Sequence, residues 1–102
     1  MSSDITCNQL RAGTQLNVKP LRVQLDSMNP QQASYYGGAA PYFRYAAYIL
    51  SPPFDIRQQD LLVDTVNIDP KTQTNKQYRI INDPEWFPDG HYEMVVDRSD
   101  GK

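Results

Sequence analysis

The chain has 102 residues, 12 acidic and 10 basic side chains, a net charge of −2 and 39% apolar residues. That length suits one ordinary domain with a modest core, and the charge balance argues against a binder that grips phosphates with clustered Lys and Arg. The apolar share falls below the roughly 45–50% usual for soluble domains, which fits long polar loops or stability gained by assembly.

In chain order, residues 1–15 are polar and lack periodicity, which predicts an N-terminal arm. From residue 16 the pattern becomes β-like. Leu16 and Val18 share one parity, and Leu21, Val23 and Leu25 the other, with the switch at Pro20. A β-bulge at Pro20 would return both sets to one face; otherwise Pro20 marks a sheet edge. Residues 26–41 read as one long inserted loop, broken by Asn29-Pro30 and Gly37-Gly38. Loops of that length are usually functional or disordered, and Tyr35-Tyr36 beside the glycines favours contact with a partner.

Residues 42–50 form the clearest strand. Phe43, Tyr45, Ala47 and Ile49 line one face, while Tyr42, Ala46, Tyr48 and Leu50 make the other face apolar too, apart from Arg44. A strand apolar on both sides is central or packs on another subunit, so Tyr42 and Tyr48 are candidate interface residues. Leu61-Leu62-Val63 is a short strand core, and Asp69-Pro70-Lys71-Thr72 has the chemistry of a type I turn. Residues 77–82 make the next strand. Residues 83–90 turn the chain, with Gly90 suited to a left-handed position, and residues 91–97 close the pattern. Trp86, in that turn, either covers one end of the core or anchors an interface. Residues 98–102 read as a frayed tail. No stretch carries helical periodicity with caps. The expected fold class is all-β: a small single-domain β-barrel of about five to six strands with one long inserted loop.

Little points to chemistry. Cys7 is the one cysteine, so it has no internal disulfide partner and reads as a free thiol. The start lacks the charged and apolar regions of a signal peptide, and no apolar run reaches membrane-spanning length, so a cytoplasmic product is expected before any assembly. His91, the only histidine, is the one possible base for a Ser-His-Asp arrangement, but no nucleophile motif accompanies it; it reads as a polar residue opening a strand. Asp55, Asp60, Asp64 and Asp69 recur every four or five residues, wider than a calcium loop and astride an apolar run, so they are expected to cap strand ends and keep sheet edges soluble. Asp83, Glu85, Asp89 and Glu93 are near in sequence, yet nothing marks an acid and base pair among them. Gly37-Gly38 lacks the spacing and lysine of a phosphate loop. The expectation is therefore a non-enzymatic chain with no metal and no cofactor.

Three segments carry a resemblance: Phe54-Asp-Ile-Arg-Gln-Gln-Asp-Leu-Leu-Val-Asp64, Gln77-Tyr-Arg-Ile-Ile-Asn-Asp-Pro-Glu85 and Phe87-Pro-Asp-Gly-His-Tyr-Glu93. Over residues 54–96 the chain resembles the head-closure, stopper or head-completion proteins of the neck of tailed bacteriophages. That family usually has a glycine before the aspartate of the first segment; here Gln59 takes the place. The resemblance implies a ring of six or twelve subunits under the portal and its adaptor, which retains double-stranded DNA and offers a docking face to the tail-terminator protein. It implies a location in the virion neck, host cytoplasm before assembly, no membrane and no catalytic residue. In some members a long loop gates the channel; residues 26–41 would take that role here, with Tyr35, Tyr36, Gly37 and Gly38 at the tip and the glycines as hinge. A mildly acidic wall suits a tube through which DNA slides.

A tail or baseplate component is a neighbouring alternative. A different one is a small OB-like module for a ligand or single-stranded nucleic acid, with Tyr42, Tyr48 and Tyr78 stacking on bases, although a basic groove should accompany them.

Overall fold

A computed structural model describes residues 2–27, 44–70 and 72–98 of the chain. The strands are β1 (Ser2–Arg11), β2 (Thr14–Gln15), β3 (Leu21–Ser27), β4 (Arg44–Leu50), β5 (Leu61–Ile68), β6 (Asn75–Ile80), β7 (Glu85–Phe87) and β8 (His91–Arg98). The described residues contain no helix. Six strands close an antiparallel barrel in the order β1-β3-β4-β8-β6-β5, and β5 returns to β1 through Cys7↔Asp64 to Leu10↔Leu61. Strand β2 adds to β1, and β7 adds to β8. The fold is thus an all-β closed barrel with two extra strands, and closure leaves the six barrel strands without a free edge.

Alternation explains the barrel. Val23, Leu25, Ala47, Ile49, Leu62, Ile80, Met94 and Val96 point inward and form one core with Cys7 and Tyr78. Their neighbours in sequence point outward. The Tyr45 and Tyr78 rings meet edge to face at 5.9 Å across the core. Strand β4 is central, between β3 and β8, as its two-sided apolar pattern predicts.

Several local expectations change. Residues 2–11 are a barrel strand rather than an arm. The inward positions of β1 are Ile5, Cys7 and Gln9, and a buried polar Gln9 hides the alternation. Its backbone N–H donates to the Asn17 side chain at 2.7 Å, so that donor stays satisfied on burial, whereas the side-chain Oε1 has no hydrogen-bond partner. No bulged strand runs from residue 16 to residue 25. Val18 is 94% exposed, and β3 starts directly after Pro20, a residue that cannot donate to a ladder. Trp86 lies in a strand. Strands β6 and β7 follow the same side of β8, interrupted at residues 81–84, where the Asn82 side chain accepts the Val95 N–H at 2.9 Å in place of a backbone carbonyl. Arg98 is the last residue of β8, paired with Tyr78, and not part of a frayed tail. Asp26 and Ser27 belong to β3; the rest of the expected 26–41 loop, residues 28–41 with Tyr35, Tyr36, Gly37 and Gly38, lies outside the described residues, as do Tyr42 and 99–102.

The turns follow their chemistry. Gly90 has φ 102° and donates its N–H to Phe87 at 2.9 Å, closing the β7–β8 hairpin. In the β5–β6 hairpin Gln73 N–H reaches Asp69 O at 2.7 Å, one residue later than a type I turn closes, with Gln73 at φ 59°.

Candidate functional site

The antiparallel register sets two ends to the barrel. One end collects the finish of β1, the start of β3, the finish of β4 and the starts of β5 and β8. The other collects the start of β1, the finishes of β3, β5 and β8, and the start of β4. Strands β3 and β4, which flank residues 28–43, meet at this second end through Ser27↔Tyr45.

At the first end a polar knot ties β1 to residues 55–60. The Asp60 carboxylate is 2% exposed and accepts Gln9 Nε2 at 3.0 Å, Arg11 Nε at 2.9 Å, Arg11 Nη2 at 2.8 Å and the Arg57 backbone N–H at 3.0 Å. Burial pushes its pKa up, but the hydrogen bonds from Arg11, the Arg57 N–H and Gln9 outweigh this and hold the carboxyl below its ordinary value. All its hydrogen-bonding capacity faces protein donors. Residue composition offers no hint of this knot, because Gln9 and Arg11 are far in sequence from Asp60.

Asp60 and Asp69 flank the two ends of β5, as expected, and Asp55 is exposed, but three of the series are not edge-solubilising surface charges. Asp60, Asp64 and Asp69 are buried. Asp64 accepts the N–H groups of Val66 and Asn67 at 2.8 and 3.0 Å and Asn67 Nδ2 at 2.8 Å, and Asp69 lies 3.9 Å from Arg98. Among the described residues no group of three or more His, Cys, Asp or Glu could hold a metal ion.

His91 opens β8, as its sequence context suggests, and its ring is buried. Its ring lies between Tyr48, with centroids 4.3 Å apart, and Phe87, at 4.5 Å and almost parallel. Nε2 meets Glu93 at 2.9 Å and Nδ1 meets Asp89. The hydrogen bond to Glu93 raises its pKa above the ordinary imidazole value; burial opposes this, and Asp89 adds to the rise. With a carboxylate on each nitrogen, no ring lone pair faces a substrate. Glu85 and Glu93 stand opposite each other across β7 and β8.

The comparisons with known proteins are silent. No protein-family model, curated protein or solved structure matches this chain.

Of the residues singled out from the sequence, Tyr48 is half-buried on the outer face of β4, and Trp86 is 53% exposed on β7, its ring tilted against Tyr92 at 4.8 Å. Trp86 therefore does not cover the core. Tyr78 is buried among core residues, where no base can stack on it. The features that sequence reading passed over are exposed apolar side chains at both ends. Val18, Leu50 and Phe54 (94%, 60% and 45% exposed) rim a groove at the first end with Pro20 and Pro53. Val66 and Ile68 (72% and 52% exposed) lie toward the finish of β5 at the second end. No helix among the described residues is long and apolar enough to cross a membrane.

Proposed function

We propose that this chain is a structural subunit of the neck of a tailed bacteriophage. It forms a ring between portal or adaptor and tail, closes the head and retains the packaged DNA. The observation that carries this reading is the exposure of large apolar side chains at both ends of one small barrel: Val18, Leu50 and Phe54 at one, Val66 and Ile68 at the other. A subunit held between two different partners needs two such ends, and monomers rarely expose large contiguous apolar patches, toward which Val18, Leu50 and Phe54 contribute by lining one groove.

A second support comes from Gln59. The neck family usually has glycine at this place, and Gln59 adopts φ 76°, a left-handed conformation that favours glycine. Gln59 thus has a backbone conformation that a glycine at this place would adopt freely. Residues 28–41 would supply the channel loop, with Tyr35, Tyr36, Gly37 and Gly38 at its tip.

The test is electron microscopy of particles made when the gene is disrupted in the phage that encodes it. Tailless heads emptied of DNA beside free intact tails are expected. Normal infectious particles would overturn the proposal.

A further inference from the structure

The outer face of β3 and β4 carries a knob, a hole and two opposite charges in an order that is complementary to its own reverse. Asp26 pairs with Ala46 and Gln24 with Tyr48, and the same register sets Arg22 beside Leu50. All six side chains alternate with the core residues Val23, Leu25, Ala47 and Ile49, so they face outward. Leu50 protrudes, 60% exposed. Four residues away along β4, Ala46 and Val95 line a groove of about 340 Å³ whose walls also carry Asp26, Asp83, Glu85 and Glu93. Arg22 stands on the knob side and Asp26 on the hole side; both are exposed, and neither has an ion pair among the described residues. Tyr48, midway, is held by its stack on His91.

We infer that this face binds a second copy of the chain through a two-fold axis crossing β4 at Tyr48. The rotation sets Leu50 of each copy over Ala46 of the other and Arg22 of each against Asp26 of the other. Gln24 and Tyr48 meet their own equivalents at the axis. Knob and hole are separated by about 13 Å in each copy, four residues of strand, so both contacts form together. Packed twisted faces rotate by about 30°, which the long Arg22 side chain spans. Isologous pairing of this kind uses one patch twice, unlike the head-to-tail contacts of a ring, so the inference does not depend on the proposed neck role.

Sedimentation velocity of the purified full chain from about 10 µM to about 1 mM tests it. The wild type is expected to dimerise. Arg22→Asp sets like charges together at two symmetric places and should weaken the dimer about tenfold or more. Leu50→Asp should abolish it. Arg22→Asp combined with Asp26→Arg should restore it, a result that general surface stickiness would not produce. All these positions are exposed, and circular dichroism checks that each variant folds. A wild type that stays monomeric at every concentration overturns the inference. So does association that ignores Leu50→Asp and Arg22→Asp, or that the charge swap fails to restore. Particle microscopy of the disrupted phage reads the neck role separately from any of these outcomes.

Discussion

Arg11 holds Asp60 with two N–H groups, at 2.9 and 2.8 Å, and in doing so fastens the finish of β1 to the chain entering β5. Asp60 is buried while Arg11 keeps partial contact with solvent. Removing one partner of such a pair leaves an uncompensated charge or unsatisfied donors inside the protein, so Asp60→Asn should cost about 3 kcal/mol at pH 7 in urea denaturation. The pH dependence has a definite sign. A carboxyl whose folded pKa is depressed stabilises fully above its unfolded value, about 3.9, and its contribution is lost as pH falls through the lower folded value. Wild type should therefore lose stability below about pH 4 more steeply than Asp60→Asn.

Gln59, next to that aspartate, adopts φ 76°. Its carbonyl accepts Arg79 Nη1 at 2.9 Å and its N–H donates to Ile80 at 2.8 Å, so its backbone position is fixed from both sides. Glycine would keep both bonds and remove the Cβ strain. Gln59→Gly should stabilise by about 0.5–1 kcal/mol, the relief exceeding the entropy that glycine adds to the unfolded chain. Gln59→Val should destabilise, by about 1–2 kcal/mol, since a branched side chain tolerates positive φ least. Equal melting temperatures for all three proteins would show that the bend relaxes without strain.

The barrel was legible wherever apolar residues alternate. Strand β4 falls where its alternating pattern places it, β5 and β8 take in the Leu61-Leu62-Val63 run and residues 91–97, and the Gly90 turn falls where Pro-Asp-Gly places it. Strand β1 was not legible, for two physical reasons. Its inward Gln9 is polar, and the partners of its backbone N–H and its Nε2, Asn17, Asp55 and Asp60, lie in other parts of the chain, while its Oε1 is buried without a hydrogen bond. Its hairpin to β2 turns on Ala12-Gly13, with φ 51° and 83°, where the usual signal would be Asn-Gly. The outward face of β4 was readable as a surface that seeks cover, but the alignment of Arg22 with Leu50 and Asp26 with Ala46 depends on strand register, which alternation alone does not give.

The core around Leu62 and Cys7, both without solvent exposure, allows a paired test. Leu62→Ala removes buried methyl groups and leaves a cavity, at a cost of about 3 kcal/mol. Val18→Ala, at a bare surface position, should stay within about 0.5 kcal/mol. The thiol of Cys7 is pushed far above its ordinary pKa, by burial first and by Asp64 second. Only the thiolate reacts, so labelling by an aromatic disulfide should wait for opening of the barrel. Leu62→Ala should speed labelling about 100-fold, the factor that its loss of about 3 kcal/mol sets on the opening equilibrium, and Val18→Ala should leave the rate nearly unchanged. Fast labelling of the folded wild type would mean that β1 detaches on its own.

His91 provides the last test, and because it is the only histidine its proton signals are unambiguous. Its folded pKa is raised, first by Glu93 and further by Asp89, so an NMR titration should centre above the ordinary 6.5. The linkage then runs opposite to that of Asp60. The stabilisation is complete below the unfolded pKa and is lost as pH rises through the folded one. Melting temperature should accordingly fall as pH rises above about 6.5, and Glu93→Gln should move the titration downward and flatten that fall. The sandwich of Tyr48, His91 and Phe87 joins β4 to β7 across β8, so loosening the charge should be felt in β7. Trp86 lies in that strand and is the only tryptophan, so its fluorescence should change over the same pH range. A titration at 6.5 or below, with Trp86 emission constant, would mean that the two carboxylates do not hold the imidazolium in solution.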